Sequence, residues 1–401
     1  MTINYKKFEY ADVQFIDGDR GVNYPSKADF TKSGYCLFLN TGNVTSDGFD
    51  FSNLDFISKE RDELLRKGKV DVYDIVLTTR GTVGNAAYVS DNIPYKHIRI
   101  NSGMVIVRAD QNKIDPYFLY SFFRSPLFKK QCLSNGSGSA QPQLPISALK
   151  NIVFPDFNLV TQQKIANILS TLDRKIALNQ QINQKLEAMA KQLYDYWFVQ
   201  FDFPDENGKP YKSSGGEMVW CEVWKRDVPK GWRTANLAEL IELKTGKEDA
   251  NFSSENGQYP FFTCSEQVSK CAQYAFDERT ILLAGNGSFS VKKFQGKFNA
   301  YQRTYLITPF DEKLYMPIYF VVKDSIRNFI SGSRGSIIKF ITKGDIENLK
   351  ITIPLNGNLG FAKILLVFFE KQQLLDSETQ KLTQLRDVLL PMLMNGQIFV
   401  E

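Results

Sequence analysis

One stretch of this 401-residue chain is written twice. Pro155 opens a run with Lys164-Ile165 nine residues on and apolar Leu186 and Leu193; Pro354 opens the same layout with Lys363-Ile364, Leu385 and Met392, at a constant offset of 199 residues. Upstream, Ile75-Val76-Leu77-Thr78-Thr79-Arg80-Gly81-Thr82 is echoed by Ile281-Leu282-Leu283-Ala284-Gly285-Asn286-Gly287-Ser288 at an offset of 206, so the loops between have absorbed small insertions. A period near 200 far exceeds the roughly 20–50 residues of a solenoid repeat. It predicts one domain followed by one long helix, duplicated in tandem, with two related surfaces in a pseudo-two-fold arrangement.

The first long helix is expected over residues 159–198. Ile165, Leu169, Leu172, Ile176, Leu186, Ala190, Leu193 and Trp197 follow the alternating steps of four and three that a coiled-coil seam requires. Asn179 and Asn183 occupy the middle of that seam, where buried asparagines disfavour every register in which they stay unpaired. In the second copy Ile364, Phe368, Leu375, Leu382, Leu385, Leu389 and Met392 continue the pattern. That helix is expected to stop near Leu390, because Pro391 lacks the amide proton a helix interior needs; a turn follows at Asn395-Gly396. A helix of about 40 residues is about 60 Å long, so a second helix packing on the first has to return toward its origin. The expectation is an antiparallel two-helix coiled coil with a globular domain at each end. Residues 202–228, rich in Gly, Pro, Ser and charge, read as an exposed linker.

Each globular domain reads as α+β with short strands. Residues 70–79, 103–107 and 151–154 are β-rich runs bounded by Gly, Asn or Pro, answered by 281–284, 304–308 and 349–353. Helical segments are expected near 116–130 and 316–330.

The residues also exclude much chemistry. His97 is the only histidine, so a zinc site, a catalytic triad and an HNH-type nuclease each lose a required group. Thr245-Gly246-Lys247-Glu248 has the Gly-Lys of a phosphate loop without the hydroxyl that would hold magnesium. Pro155-Asp156 with Asp173-Arg174-Lys175 matches the spacing of a metal-dependent nuclease, but Asp173 falls in a helical pattern and not on a strand. Five cysteines, Cys36, Cys132, Cys221, Cys264 and Cys271, form no C-x-x-C pair and suit reduced thiols in a cytoplasmic protein. The longest apolar run is too short for a bilayer and the first ten residues lack a signal-peptide core, so no membrane partner is expected.

A net charge of +5 is mild, and its placement matters more than its size. Residues 279–310 contain no acid but carry Arg279, Lys292, Lys293, Lys297 and Arg303, interleaved with Asn286, Asn299 and Gln302. Residues 116–155 are also acid-free and include a Gly-Ser-Gln loop, 136–143. Lys and Arg neutralise phosphates, while Arg, Asn and Gln can pair with base edges. Two basic domains on a rigid spacer match two half-sites of double-stranded DNA. In the first copy the candidate DNA-binding residues are Thr79, Arg80, Lys96, Arg99, Ser139, Gln141 and Gln143. In the second they are Asn286, Lys292, Lys293, Lys297, Gln302, Arg303 and Arg334.

The same residues carry a family resemblance. Leu77-Thr78-Thr79-Arg80-Gly81-Thr82-Val83-Gly84, the loop Gly136-Ser137-Gly138-Ser139-Ala140-Gln141-Pro142, Pro229-Lys230-Gly231-Trp232, and Gly296-Lys297-Phe298-Asn299-Ala300-Tyr301-Gln302-Arg303-Thr304-Tyr305 resemble the target-recognition domains of specificity (S) subunits of Type I restriction-modification enzymes. The two helices resemble that family's spacer regions. The first domain lacks the Pro-x-Gly-Trp opening of the second, so its first strands are expected to be shortened.

The resemblance implies a non-catalytic DNA-binding subunit. It places a first target-recognition domain at 1–157, a spacer helix at 158–198, a linker at 199–228, a second recognition domain at 229–357 and a second spacer helix at 358–401. Each domain would read half of a split, asymmetric sequence, and the helices would set the gap. Two methyltransferase (M) subunits would dock on the helices, through the seam residues named above or through Ile168, Ile182, Met189 and Tyr196; restriction (R) subunits would complete the endonuclease. This chain would hold no cofactor or metal, with S-adenosylmethionine, ATP and Mg bound by its partners. The alternatives are a stand-alone Mg-dependent nuclease and a coiled-coil adaptor that does not contact DNA.

Overall fold

The computed structural model describes residues 4–135, 143–332 and 340–398. The chain forms two compact units: residues 1–178 with 379–401, and residues 179–378. Both are α+β, and each takes part of each long helix.

The first unit is built on a four-stranded antiparallel sheet in the order Val13–Asp17, Met104–Ala109, Ile75–Thr78, Ala86–Tyr88. The second repeats that order with Ile241–Thr245, Thr304–Pro309, Phe276–Ala284 and Val291–Ala300. The duplication extends to an unusual parallel contact. Cys36–Leu39 runs parallel to Ile98–Ile100 in the first unit, and Tyr259–Phe262 runs parallel to Val291–Ala300 in the second. Where the second unit has one ten-residue strand, the first has two short ones, Ala86–Tyr88 and Ile98–Ile100. Pro94 and the turn residues Asp91-Asn92 interrupt that run, and proline cannot donate to a central ladder.

A neck of two paired strands closes each domain. Tyr5–Lys7 pairs with Val153–Pro155, and Trp232–Asn236 pairs with Lys350–Pro354. The first-domain strand spans three described residues against five in the second, in the direction the sequence suggested. Residues 202–228 are more than a linker: Met218–Cys221 and Arg226–Pro229 form a hairpin, and the Asp202 carboxylate receives the Ser213 amide at 2.7 Å.

The first long helix spans Leu159–Tyr194, capped by the Asn158 carbonyl group of its side chain on the Thr161 amide, and ends in a wider turn, Asp195–Val199. The second spans Lys363–Met394 and runs through Pro391. Proline costs a helix interior about 3 kcal/mol, but here it removes one bond in the final turn. Leu390, Leu393 and Met394 are buried in the first unit's core, and each such side chain stabilises by about 1.5–3 kcal/mol. The helix stops instead at Gly396 (φ +58), where Gln397 N–H bonds the Met392 carbonyl and Gly396 N–H the Leu393 carbonyl.

Within each unit the two helices run antiparallel. Ile165 and Leu169 share a core with Leu390, Leu393 and Met394; Ala190, Tyr194 and Trp197 share another with Leu365, Leu366 and Phe369. Of the predicted seam, Ile165, Leu169, Ile176, Asn179 and Leu375 are buried, while Leu172, Asn183, Leu186, Leu193, Phe368, Leu382 and Leu389 are half-buried. Ile364 and Leu385 are exposed. In their place the second helix turns Leu365, Phe369, Gln372 and Arg386 inward, two of them polar and so invisible to an apolar periodicity. The asparagines do pair across the seam within the second unit: Asn179 Nδ2 donates to Glu378 at 2.9 Å, and Asn183 Nδ2 donates to Asp376.

Candidate nucleic-acid interface

In each unit two strand ends and one bridged segment meet at one edge of the main sheet. In the first, Thr79 N–H and Oγ1 both bond the Gly103 carbonyl, at 2.8 and 2.9 Å, and Leu144 N–H reaches back to the Thr79 carbonyl at 3.0 Å. Arg80 and Gln143 are thereby paired in an isolated antiparallel bridge. In the second unit Gly285 N–H bonds the Arg303 carbonyl at 2.9 Å, Ile341 N–H bonds the Gly285 carbonyl at 2.8 Å, and Asn286 is bridged to Phe340. The two constructions are copies. In both, the segment leading into the bridge, 136–142 or 333–339, contains candidates outside the described residues: Ser139, Gln141 and Arg334.

A glycine closes each edge. A Cβ on Gly18 would lie 2.2 Å from the Asn101 carbonyl oxygen, and one on Gly246 would lie 2.2 Å from that of Ala300. These close approaches let the chain leaving the strands Val13–Asp17 and Ile241–Thr245 pass tightly over the backbone at Asn101 and at Ala300. They also bring in Arg20 and Lys247, which are not among the sequence-based DNA-binding candidates. Arg20 donates to the Ser102 carbonyl at 3.4 Å, and the Lys247 ammonium stands 5.4 Å from the Phe276 ring centre. The available signal was a glycine just past a strand with a cation one or two residues on. Asp17, Arg20, Thr79, Arg80 and Gln143 line a recess on the first edge.

The remaining candidates divide by what they touch. Arg80, Lys96, Lys297, Gln302 and Arg303 are exposed. Gln302 Nε2 donates to Asp249 at 2.8 Å, and Lys297 lies 4.8 Å from the Tyr274 ring centre. Among the described residues, Arg80 and Arg303 have no carboxylate partner. Thr79, by contrast, is buried, with its hydroxyl committed to the backbone.

Arg99 is 5% exposed and bonds the Asp62 carboxylate, the Asp62 carbonyl and the Lys67 carbonyl, so its donors serve the domain interior. Lys293 is ion-paired with Glu187 and stands 4.5 Å from the Tyr319 ring centre. Burial pushes its ammonium below the usual lysine range even with that carboxylate beside it. Lys292 bonds the Ser265 carbonyl at 2.7 Å and Ser290 Oγ at 2.6 Å, and burial lowers it too. The acid-free stretches are therefore less basic in space than in sequence: Arg279 meets Glu370 at 3.1 Å, and Arg124 meets Asp173 at 2.6 Å.

Asp173 also settles the nuclease-like spacing. Its carboxylate accepts from Tyr117, Arg124 and Arg386, and Asp156 is exposed elsewhere in the same unit. Among the described residues there is no group of three His, Cys, Asp or Glu that could hold a metal ion. His97 stacks on Tyr35 with ring centres 4.2 Å apart, all five cysteines are free, and no helix of the described residues is long and apolar enough to cross a membrane. What the two edges carry among the described residues is planar hydrogen-bonding groups, Arg80 and Gln143 in the first unit and Asn286 and Arg303 in the second.

Residues 3–188 and 229–384 match the family described as "Type I restriction modification DNA specificity domain". The Type I restriction enzyme EcoDI specificity subunit of Escherichia coli is 50% identical over 127 residues, which cover 32% of this chain and 28% of that relative. The MjaIX specificity subunit of Methanocaldococcus jannaschii is 26% identical over 353 residues, covering 82% of this chain and 78% of the other. Among solved structures, a Type I restriction-modification S subunit from M. genitalium shares the fold, with a TM-score of 0.64 at 17% identity over 98% of this chain and 96% of that one.

Proposed function

Since the chain belongs to the family of Type I restriction-modification specificity subunits, we propose that each unit reads one half of a split, asymmetric double-stranded DNA target through its strand-end edge. The duplicated construction around Arg80–Gln143 and Asn286–Phe340 is the observation that carries this reading. Two related surfaces in one chain match a target read in two parts, and the planar side chains there suit paired hydrogen bonds to base edges. Exposed Lys96 and Lys297 supply phosphate contacts that fix position without reading sequence.

The long helices set the unread gap and dock two M subunits. Off the mutual seam, Met189 is exposed and Ile182 half-buried, which leaves apolar surface for a helical partner, whereas Ile168 and Tyr196 pack against the core of their own unit. The chain itself is not the catalyst. S-adenosylmethionine, ATP and Mg belong to the M and R subunits, and the assembly works in the cytoplasm as an adenine-N6 methyltransferase and, with R subunits, an ATP-dependent endonuclease.

Reconstitution of the chain with its M subunits, followed by methylation mapping, tests this. The expected result is adenine methylation in one bipartite motif, with none from the chain alone. Methylation or cleavage by the isolated chain would overturn the assignment, and salt-independent partner binding without a DNA gel shift would favour an adaptor.

A further inference from the structure

Two carboxylates on the first long helix, one in each unit, are clasped by the domain of that unit. Asp173 accepts from Tyr117 Oη at 2.7 Å and Arg124 Nη1 at 2.6 Å, both on the helix Pro116–Arg124, and from Arg386 Nη1 of the second long helix at 3.0 Å. Glu187 accepts from Tyr319 Oη at 2.8 Å and Lys323 Nζ at 2.7 Å, both on the helix Tyr315–Gly332. Lys293, from the strand Val291–Ala300, and Gln372 Nε2 of the second long helix complete that second set. In both units, then, a tyrosine and a cation from the domain helix and one donor from the other long helix converge on a single acid.

Plain copying does not produce this. The 199-residue offset carries Asp173 onto Gln372 and Arg386 onto Glu187, so the same pair of positions is used twice with the acid on opposite partners. Most of the groups are also withdrawn from solvent, with side chains 18% exposed at Asp173, 13% at Arg124, 26% at Glu187 and 13% at Lys293, while Lys323 is 45% exposed. Burial alone would raise the Glu187 carboxyl, yet Lys293 and Lys323 hold it down at about 2. Apolar contacts are non-directional and tolerate small rotations, whereas charge-assisted hydrogen bonds are short and angle-dependent. A domain held on its helix by such a set has one permitted orientation.

We propose that Asp173 and Glu187 are positioning residues, which fix the orientation of each recognition domain on the spacer helix and so restrict the assembly to one gap length. The inference rests on the reading that each domain reads a half-site. A base pair added to the gap moves a half-site by about 3.4 Å, a displacement that only a domain loosened on its helix can follow.

The test uses the full chain assembled with its M subunits, on DNA carrying the native half-sites with gaps from two base pairs shorter to two longer. Asp173→Asn and Glu187→Gln keep shape and remove charge. Each is expected to raise methylation at gaps one base pair off, relative to the native gap, by about tenfold, with the half-site bases unchanged. A gap profile as sharp as the wild type's, with only a lower Tm, would overturn the proposal, as would altered half-site bases. Should the carboxamide variants fail to fold, Tyr117→Phe and Tyr319→Phe remove one hydrogen bond from each clasp and keep every charge. They should broaden the profile in the same direction to a smaller extent, and a sharp profile there overturns it equally. A wild-type complex with no gap preference would instead remove the underlying half-site reading.

Discussion

Gln143 faces Arg80 across an antiparallel bridge. Directly opposed residues of such a bridge project from the same face of the strand pair, about 4.5–5.5 Å apart at Cβ. Two planar hydrogen-bonding groups are therefore presented together at the sheet edge.

That relationship separates reading from holding. Arg80→Ala or Arg303→Ala should relax discrimination at particular bases at a cost of about 1–3 kcal/mol each. Lys297→Ala and Lys96→Ala should weaken binding to all sequences and flatten its salt dependence by about one unit of slope each. Binding isotherms at several salt concentrations, with motif mapping on the same variants, check both. A broadened motif from the lysine variants would reverse the assignment.

Arg99 should behave as part of the fold. Removing one partner of a buried ion pair costs about 3–5 kcal/mol, so Arg99→Met and Asp62→Asn should each lower Tm by several degrees. The salt slope of DNA binding by the folded fraction should stay as in the wild type. A loss of slope without a change in Tm would return Arg99 to the DNA surface.

Acid should weaken the second unit through Glu187. Its carboxyl is depressed from 4.5 to about 2, so its contribution is complete above about pH 4.5 and is lost as pH falls toward 2. The shift corresponds to at most about 3 kcal/mol, and the lowered Lys293 ammonium reduces the net worth of the pair. Denaturant melts of wild type and Glu187→Gln should converge as pH drops from 5 to 3. Parallel curves over that range would show that the carboxylate is not linked to stability.

Gly18→Ala and Gly246→Ala should each destabilise by about 1–3 kcal/mol, the usual penalty of overpacking, because the new methyl meets backbone carbonyls that cannot step aside. DNA binding should fall more than Tm does, since the crossing strand ends form the edge itself. Unchanged affinity with a lowered Tm would place the reading surface elsewhere.

The duplication, the α+β class and both long helices were legible because each leaves a periodic trace in the sequence. Arg99 and Lys293 were not, because their acids, Asp62 and Glu187, lie 37 and 106 residues away in the chain. A local charge count cannot see such partners. Ile364 and Leu385 were misplaced for a related reason: inward positions on the second helix are shared with Gln372 and Arg386, whose side-chain N–H groups donate to acceptors on the first long helix. The end of that helix was set by Gly396 and by burial of the last turn, and a proline one turn earlier gave the wrong cue.

The neck strands have one more consequence. Because Trp232–Asn236 lies against Lys350–Pro354, the chain enters and leaves the second domain through adjacent strands, about 4.8 Å apart. The same doorway, Tyr5–Lys7 against Val153–Pro155, serves the first. A domain with its two ends side by side behaves as a cassette. Genetic recombination with breakpoints at the two sides of such a doorway would deliver a foreign domain whose own core is intact and whose joins disturb only one strand pair. The fold thus allows a whole domain to be exchanged in one step, without remaking the scaffold that carries it.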